Sequence, residues 1–137
     1  MARIIALDIG GKRTGVAVTD PMQMIASGLT TVLTTELIDF LKKYFAQEAV
    51  EAIVVGDSKN LDLSDNDATP IIRKMVAEIQ KQFEHLPIKM VDERFTSVLA
   101  SRSMKMAGAT RKQMKSKETV DLVSATIILQ TYLDSKF

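Results

Sequence analysis

The chain contains no cysteine and a single histidine, His85, and these absences exclude several kinds of chemistry. It cannot form a Cys/His zinc site, a thiol nucleophile or a disulfide framework. No apolar run approaches the roughly 20 residues needed to span a membrane, and the first three residues lead directly into a strand-like segment without a signal-peptide layout. We therefore predict a soluble, cytoplasmic protein whose chemistry comes from carboxylate, lysine, arginine or hydroxyl groups.

Aromatic residues are also scarce, at 5% of 137 residues, whereas apolar residues of all kinds make up 46%. A core is therefore built mainly of Ile, Val, Leu, Ala and Met. A chain of this length corresponds to one domain, since domains usually have about 100–200 residues. We predict a single domain over residues 1–137, which excludes mechanisms that close two hinged lobes over a substrate.

Hydrophobic periodicity predicts five strands, at residues 3–9, 16–19, 29–33, 52–55 and 88–92. The first two form a hairpin around a glycine-bounded turn. Four helices are predicted: one capped by Thr34 or Thr35, one from Thr69-Pro70 to Pro87, one from Thr96 to Gly108, and a last one over residues 117–133. A hairpin followed by alternating strands and helices predicts an α/β fold, with a mixed five-stranded sheet flanked by helices on both faces.

Three acidic positions occur where this pattern predicts burial or a ligand-binding rim. Asp8 follows four apolar residues in the strand expected to be central, where an ionised carboxylate needs a cation beside it. Asp121 lies in the apolar stripe of the last helix, within its first turn. Asp92 and Glu93 follow the fifth strand, at the carboxyl edge of the sheet where open α/β folds bind ligands.

Each acid also has a purely structural interpretation. Asp8 could accept hydrogen bonds from the Gly10-Gly11 turn, Asp121 could complement the positive end of its helix, and Asp92 or Glu93 could pair with Arg94. Clusters of two to four carboxylates, however, hold Mg²⁺ or Mn²⁺, and such ions are the usual apparatus for attack of water on a phosphodiester. The co-occurrence of three such acids favours this second interpretation.

Charge is distributed unevenly although the net charge is only +1. Residues 34–93 contain 12 acids against 7 bases, whereas residues 94–117 contain seven bases and no acid. This basic block suggests that one face binds a polyanion, while a solvated lysine-rich loop is the simpler alternative. The block has only one aromatic residue, Phe95, which favours contacts with backbone phosphates over stacking on bases.

Several motifs together resemble the YqgF family, also called RuvX-like. They are Leu7-Asp8-Ile9-Gly10 with residues 12–21, Val55-Gly56, residues 92–97 (Asp-Glu-Arg-Phe-Thr-Ser), and Val120-Asp121 with Ser124-Ala125 and Ile128-Leu129. Members of this family are described as pre-16S rRNA nucleases and as homologues of Holliday junction resolvases. The resemblance implies an RNase H-like fold, a metal and catalytic site formed by Asp8, Glu93 and Asp121 with Mg²⁺ or Mn²⁺, and trimming of the 5′ end of the rRNA precursor in ribosome biogenesis.

The chain departs from the family pattern at Asp57-Ser58, where Leu-Pro is usual, at Gly11, which replaces a hydroxyl residue, and at Ser124, which replaces Ala. Whether Asp57 or Asp92 joins the metal site is left open. The predicted nucleic-acid contacts are Lys12, Arg13, Arg94, Arg102, Arg111, Lys112 and Lys115.

Two classes of function remain. The first is a metal-dependent nuclease that acts on structured RNA, with junction DNA as the alternative substrate. The second is a non-catalytic module that binds nucleic acid or ribosomal precursor particles, since a fold does not guarantee a function.

Overall fold

The computed structural model describes residues 2–57, 69–92 and 117–136. Its five strands form one sheet in the order β3-β2-β1-β4-β5. The strands are β1 Arg3–Ile9, β2 Arg13–Thr19, β3 Ala26–Leu33, β4 Val50–Asp57 and β5 Ile88–Asp92, and the helices are α1 Leu37–Gln47, α2 Thr69–Gln82 and α3 Lys117–Lys136. β1, β2 and β3 pair antiparallel, whereas β4 pairs parallel with both β1 and β5. The predicted mixed five-stranded sheet is confirmed, and β1 is its central strand.

The side chains of β1 alternate between two hydrophobic clusters, one on each face of the sheet. Ile5 and Leu7 belong to the cluster that contains the buried residues of α1 and α2. Ile4 and Ala6 belong to the cluster that contains the buried residues of α3. This alternation is what a strand covered on both faces requires, and it confirms the prediction of helices on both sides.

Small residues let α3 approach the sheet closely. Its cluster contains Ala6, Ala17 and Ala52 from three neighbouring strands. At Gly15 a Cβ atom would overlap the carbonyl oxygen of Asp121, and its distance to the carbonyl carbon of that residue would be 2.5 Å. Glycine at this position therefore fixes how near the helix backbone lies to β2.

The third strand is longer than predicted, because it begins at Ala26 rather than at residue 29. Ala26 pairs with Thr19 of β2. In the turn between these two residues, the carboxylate of Asp20 accepts hydrogen bonds from the backbone N–H groups of Met22, Met24 and Ile25 at 3.1, 2.9 and 2.8 Å. The bond from Ile25 contributes most to lowering the pKa of Asp20 below its ordinary value. Pairing across this turn extends the strand beyond the segment that the sequence pattern marked.

The prediction that Thr34 or Thr35 caps the first helix is wrong. A single 3-10 turn, Thr34–Glu36, precedes α1, and no side chain caps either element. Thr34 is buried and instead donates its hydroxyl to the carbonyl oxygen of Gly10 at 2.6 Å, while its hydroxyl lies 3.0 Å from that of Thr14. Its backbone N–H also donates to the carbonyl oxygen of Lys12 at 2.9 Å. Thr34 thus fastens the turn between β1 and β2.

Two helix ends differ from the prediction. α2 begins at Thr69 as expected but ends at Gln82, although Phe83 and Leu86 remain buried in the same cluster. The N–H of Phe83 still donates to the carbonyl oxygen of Ile79 at 2.9 Å, and a turn then follows in which the N–H of Leu86 donates to the carbonyl oxygen of Phe83 at 3.0 Å. The helix therefore ends before the restriction that Pro87 places on Leu86. α3 continues to Lys136, three residues further than predicted. The predicted helix over residues 96–108 lies outside the described residues. Within the described ranges, no helix is both long and apolar enough to cross a membrane.

Candidate active site

Asp8 lies near the carboxyl end of the central strand and is half-buried. Its neighbours Leu7 and Ile9 point towards α1 and α2, so alternation turns Asp8 towards α3. Gly15 is directly opposite Asp8 on β2, and Gly56 follows Val55, the partner of Leu7 on β4. Because glycine has no side chain, the carboxylate of Asp8 has no side-chain neighbour directly across either adjacent strand.

Asp121 reaches the same place from the opposite direction. It is the fifth residue of α3, one residue beyond the first turn in which the sequence placed it, and its backbone lies against Gly15. Ala125 and Ile128, which share its stripe, are fully buried, whereas the Asp121 side chain is 28% exposed. Asp8 and Asp121 therefore lie on one face of the sheet with Gly15 as their common neighbour.

A partly buried cation, Arg13, lies beside Asp121. Arg13 begins β2 and alternates with Gly15 and Ala17, so it also faces α3. Its Nε lies 3.5 Å from Oδ2 of Asp121, and the two side chains are 20% and 28% exposed. The sequence indicated a cation beside Asp8, but it did not identify Arg13 as the partner of Asp121.

Asp57 and Asp92 lie at the same edge of the sheet but on its other face. They are register partners at the ends of β4 and β5. Asp57 lines a cavity of about 300 Å³ with Ile72, Arg73 and Met90 on the side of α2. Val91 packs in the α3 cluster, so alternation returns Asp92 to the side of α2. The described geometry therefore separates both acids from Asp8 and Asp121.

The remaining predicted site residues are mostly outside the described residues. Lys12 is described, and it is exposed in the turn before Arg13. Placement is not described for Glu93, Arg94, Arg102, Arg111, Lys112 and Lys115. Among the residues that the structure describes, no group of three or more His, Cys, Asp or Glu side chains is placed to hold a metal ion. Two carboxylates on a shared face are nevertheless the donor type that Mg²⁺ and Mn²⁺ prefer.

One part of this site was missed by the sequence reasoning although a signal was available. The predicted second strand begins at residue 16 and leaves Gly15 in the turn, whereas β2 begins at Arg13 and includes Gly15. A glycine within a strand often marks a place where another backbone approaches closely. In the structure that backbone is the helix carrying Asp121.

Comparison with known proteins identifies the family. A family model named RuvX and described as "Holliday junction resolvase" matches residues 2–135. The chain belongs to the RuvX family. This finding confirms the resemblance drawn from the motifs.

A relative from Bacteroides thetaiotaomicron, described as "Putative pre-16S rRNA nuclease", is 51% identical over 136 residues, which is 99% of each chain. A second relative with the same description, from Christiangramia forsetii, is 53% identical over 133 residues, or 97% of this chain and 98% of the relative. The RuvX family is thus one of nucleases, as predicted.

Solved structures confirm the RNase H-like fold. The RuvC protein of T. thermophilus in complex with a Holliday junction substrate matches 99% of this chain and 96% of its own, with a TM-score of 0.56 and 9% identity. A Fowlpox virus resolvase in complex with Holliday junction DNA matches 98% and 99% of the two chains, with a TM-score of 0.60 and 13% identity. At such low identity these matches establish the fold alone.

Proposed function

We propose that this RuvX-family chain is a metal-dependent endonuclease that hydrolyses phosphodiester bonds and processes the 5′ end of pre-16S rRNA during ribosome biogenesis. The observation that carries the proposal is the placement of Asp8 and Asp121 on one face of the sheet, around Gly15. The description shared by relatives about half identical to the chain, which cover almost its whole length, supports the choice of substrate.

The acidic pair would hold Mg²⁺ or Mn²⁺ together with Glu93, which follows β5 in the sequence. A bound divalent ion lowers the pKa of water and stabilises charge on a phosphodiester. The chain's own contribution is to fix the donors. Asp8 is set by the central strand, and Asp121 is set by the packing of α3 against Gly15. Two such carboxylates, half-buried beside each other, favour a cation between them.

Positive charge near these acids would hold the substrate. Lys12 is exposed in the β1–β2 turn, which is fastened to the start of α1 by the hydrogen bonds of Thr34. The basic block at residues 94–117 would add contacts with backbone phosphates without reading sequence. This arrangement suits a structured RNA that is recognised by its backbone and shape.

The deciding experiment is to incubate the protein with an end-labelled rRNA precursor and with a four-way DNA junction, each in Mn²⁺, Mg²⁺ or EDTA. We expect cleavage of the precursor near its 5′ end with either metal and none in EDTA. Asp121→Asn should abolish cleavage. Asp134→Asn is the matched control, because it removes one charge from an exposed position of the same helix and should cleave like the wild type.

A Holliday junction resolvase is the second candidate, and the description of the matching family model favours it. Faster cleavage of the four-way junction than of the precursor would support this activity instead. Binding of both nucleic acids without cleavage of either, in every metal tested, would contradict both nuclease proposals. That result would indicate a non-catalytic module of ribosome assembly.

A further inference from the structure

The ion pair between Arg13 and Asp121 is incompletely satisfied, and this distinguishes it from the ion pair between Arg3 and Glu48. At the opposite end of the sheet, Arg3 donates from Nε to Glu48 at 3.3 Å and from Nη1 to the carbonyl oxygen of Thr19 at 2.9 Å. The Nε of Arg13 is buried, lies 3.5 Å from Asp121 Oδ2, and makes no hydrogen bond within the described part of the chain. An ion pair without a hydrogen bond costs less to separate than one with hydrogen bonds, so the guanidinium of Arg13 can exchange the Asp121 carboxylate for another anion.

We propose that Arg13 is a positioning residue that neutralises Asp121 in the free protein and moves to a backbone phosphate when nucleic acid binds, so that the two ligands of the site, metal and nucleic acid, strengthen each other. The inference rests on the proposed function, because it assumes that Asp121 holds a divalent cation. It assigns to Arg13 a role that reaches beyond simple attraction of the substrate.

Arg13 and a divalent ion would compete for one carboxylate, that of Asp121. A divalent ion on Asp121 would share it with the positive charge of Arg13, and like charges at such short range repel strongly where water is largely excluded. Displacing the guanidinium without a new partner would leave a partly buried cation, whose Nε is fully buried, without its counter-charge, which is unfavourable. Either way, Arg13 lowers the affinity of the free protein for metal.

A phosphodiester removes this obstacle because its oxygens can accept the hydrogen bond that Arg13 Nε does not make within the described residues. Arginine binds phosphate oxygens through two parallel N–H donors, a geometry that lysine cannot reproduce. Once Arg13 is paired with phosphate, its positive charge no longer competes with the metal for the Asp121 carboxylate. Since binding linkage is reciprocal, metal must then raise the affinity for nucleic acid by the same factor.

The test measures Mn²⁺ binding directly, by the loss of the free-ion signal in electron paramagnetic resonance. Wild type, Arg13→Gln and Arg13→Met are each titrated alone and with a phosphorothioate-substituted RNA hairpin that resists hydrolysis. Melting curves establish that each variant is folded, and the methionine keeps most of the apolar stem of Arg13. Lys42→Gln is the matched control, because it removes the same charge from an exposed position of α1, on the other face of the sheet.

We expect the hairpin to raise the Mn²⁺ affinity of the wild type by about fivefold or more. Both Arg13 variants should bind Mn²⁺ about fivefold more tightly than the free wild type and gain less than about twofold from RNA. Lys42→Gln should change the Mn²⁺ affinity of the free protein by less than about twofold, since an exposed charge is screened, and it should keep the gain from RNA.

Two results would overturn the inference, and they are distinguishable. The role of Arg13 would be overturned if both Arg13 variants bound Mn²⁺ with the same affinity as the wild type and gained as much affinity from RNA. The nuclease proposal would then still stand on the metal binding and cleavage of the wild type. Absence of Mn²⁺ binding by the wild type, with and without RNA, would overturn the nuclease proposal and the inference together.

Discussion

Replacing Gly15 by alanine would measure how strictly the position of Asp121 depends on the strand beneath it. The added methyl group would overlap the carbonyl oxygen of Asp121 and lie 2.5 Å from its carbonyl carbon. Carbon atoms pack at about 3.5–4.0 Å, so helix and strand must separate by about 1 Å. Because the obstacle is helix backbone, no change of side-chain rotamer relieves the overlap.

This separation has two consequences of predictable size. Inserting a methyl group into a well-packed interior lowers the free energy of unfolding by about 1–3 kcal/mol. Because helix backbone cannot move aside as a side chain can, we expect Gly15→Ala to lie at the upper end, about 3 kcal/mol. For a chain of this length that lowers the melting temperature by roughly 10 °C. A displacement of about 1 Å at a catalytic group costs about a hundredfold in rate. We therefore expect both a less stable fold and a site about a hundredfold less active.

The assay combines denaturant unfolding with precursor cleavage at a temperature well below the melting point of every variant. Gly11→Ala is the matched control in the same hairpin, since among the described residues its methyl group would meet the side chain of Ile71 alone, at 3.4 Å, an ordinary contact. Gly28→Ala is intermediate, because its methyl group would lie 2.8 Å from the mobile side chain of Leu122. If Gly15→Ala matched Gly11→Ala in stability and rate, the close approach of α3 to β2 would be refuted.

Four further predictions follow from other features of the molecule. Asp8→Asn should abolish metal-dependent cleavage without lowering the free energy of unfolding, because it relieves repulsion between neighbouring carboxylates; wild-type cleavage would remove Asp8 from the mechanism. Millimolar Mn²⁺ or Mg²⁺ should raise the melting temperature of the wild type, and should do so less in Glu93→Gln and Asp121→Asn, because only the folded site binds the ion; an unmoved wild-type curve with no heat of binding would contradict this. The free energy of unfolding should decline as the pH falls below about 3.9, the ordinary pKa of an aspartate in the unfolded chain. The pKa of Asp20 is lower in the folded protein, so its ionised carboxylate stabilises the fold above that pH, and this stabilisation is lost as the group protonates. Asp20→Asn should flatten this part of the pH profile. Replacing Arg111, Lys112 and Lys115 by alanine should make the slope of log affinity for RNA against log salt shallower by about 0.7–0.9 per lost contact, equally for unrelated sequences. An unchanged slope would show that the nucleic-acid face lies elsewhere.

The order of the described elements was predictable because it depends on local signals. Apolar alternation, glycine and proline positions and helical spacing located every described strand and helix, and β5 has the bounds that the pattern indicated. The errors occur where a distant partner decides the outcome. Pairing with β2 lengthens β3, and the Thr34 side chain prefers the turn at Gly10 to the helix start beside it.

The sequence was sufficient to identify candidate acidic residues of the site, but not to predict which of them lie on the same face of the sheet. Asp8 and Asp121 were identifiable because each interrupts an apolar pattern. Which acids share a face depends on strand register, and a slip by one residue would exchange the faces. Sequence alone therefore left Asp57 and Asp92 as open candidates, whereas the register places them on the side of α2. The pairing of Arg13 with Asp121 likewise required the docked position of α3.

The docking of α3 also determines when the acidic pair exists at all. Asp8 and Asp121 are far apart in the sequence, and their proximity depends on Ala125, Ile128, Leu129 and Leu133 remaining seated on the sheet. Contacts between residues so far apart in the sequence form slowly during folding. A molecule whose α3 has briefly lifted keeps the cluster of α1 and α2 but has no acidic pair. The lifetime of the docked helix is therefore the lifetime of the site.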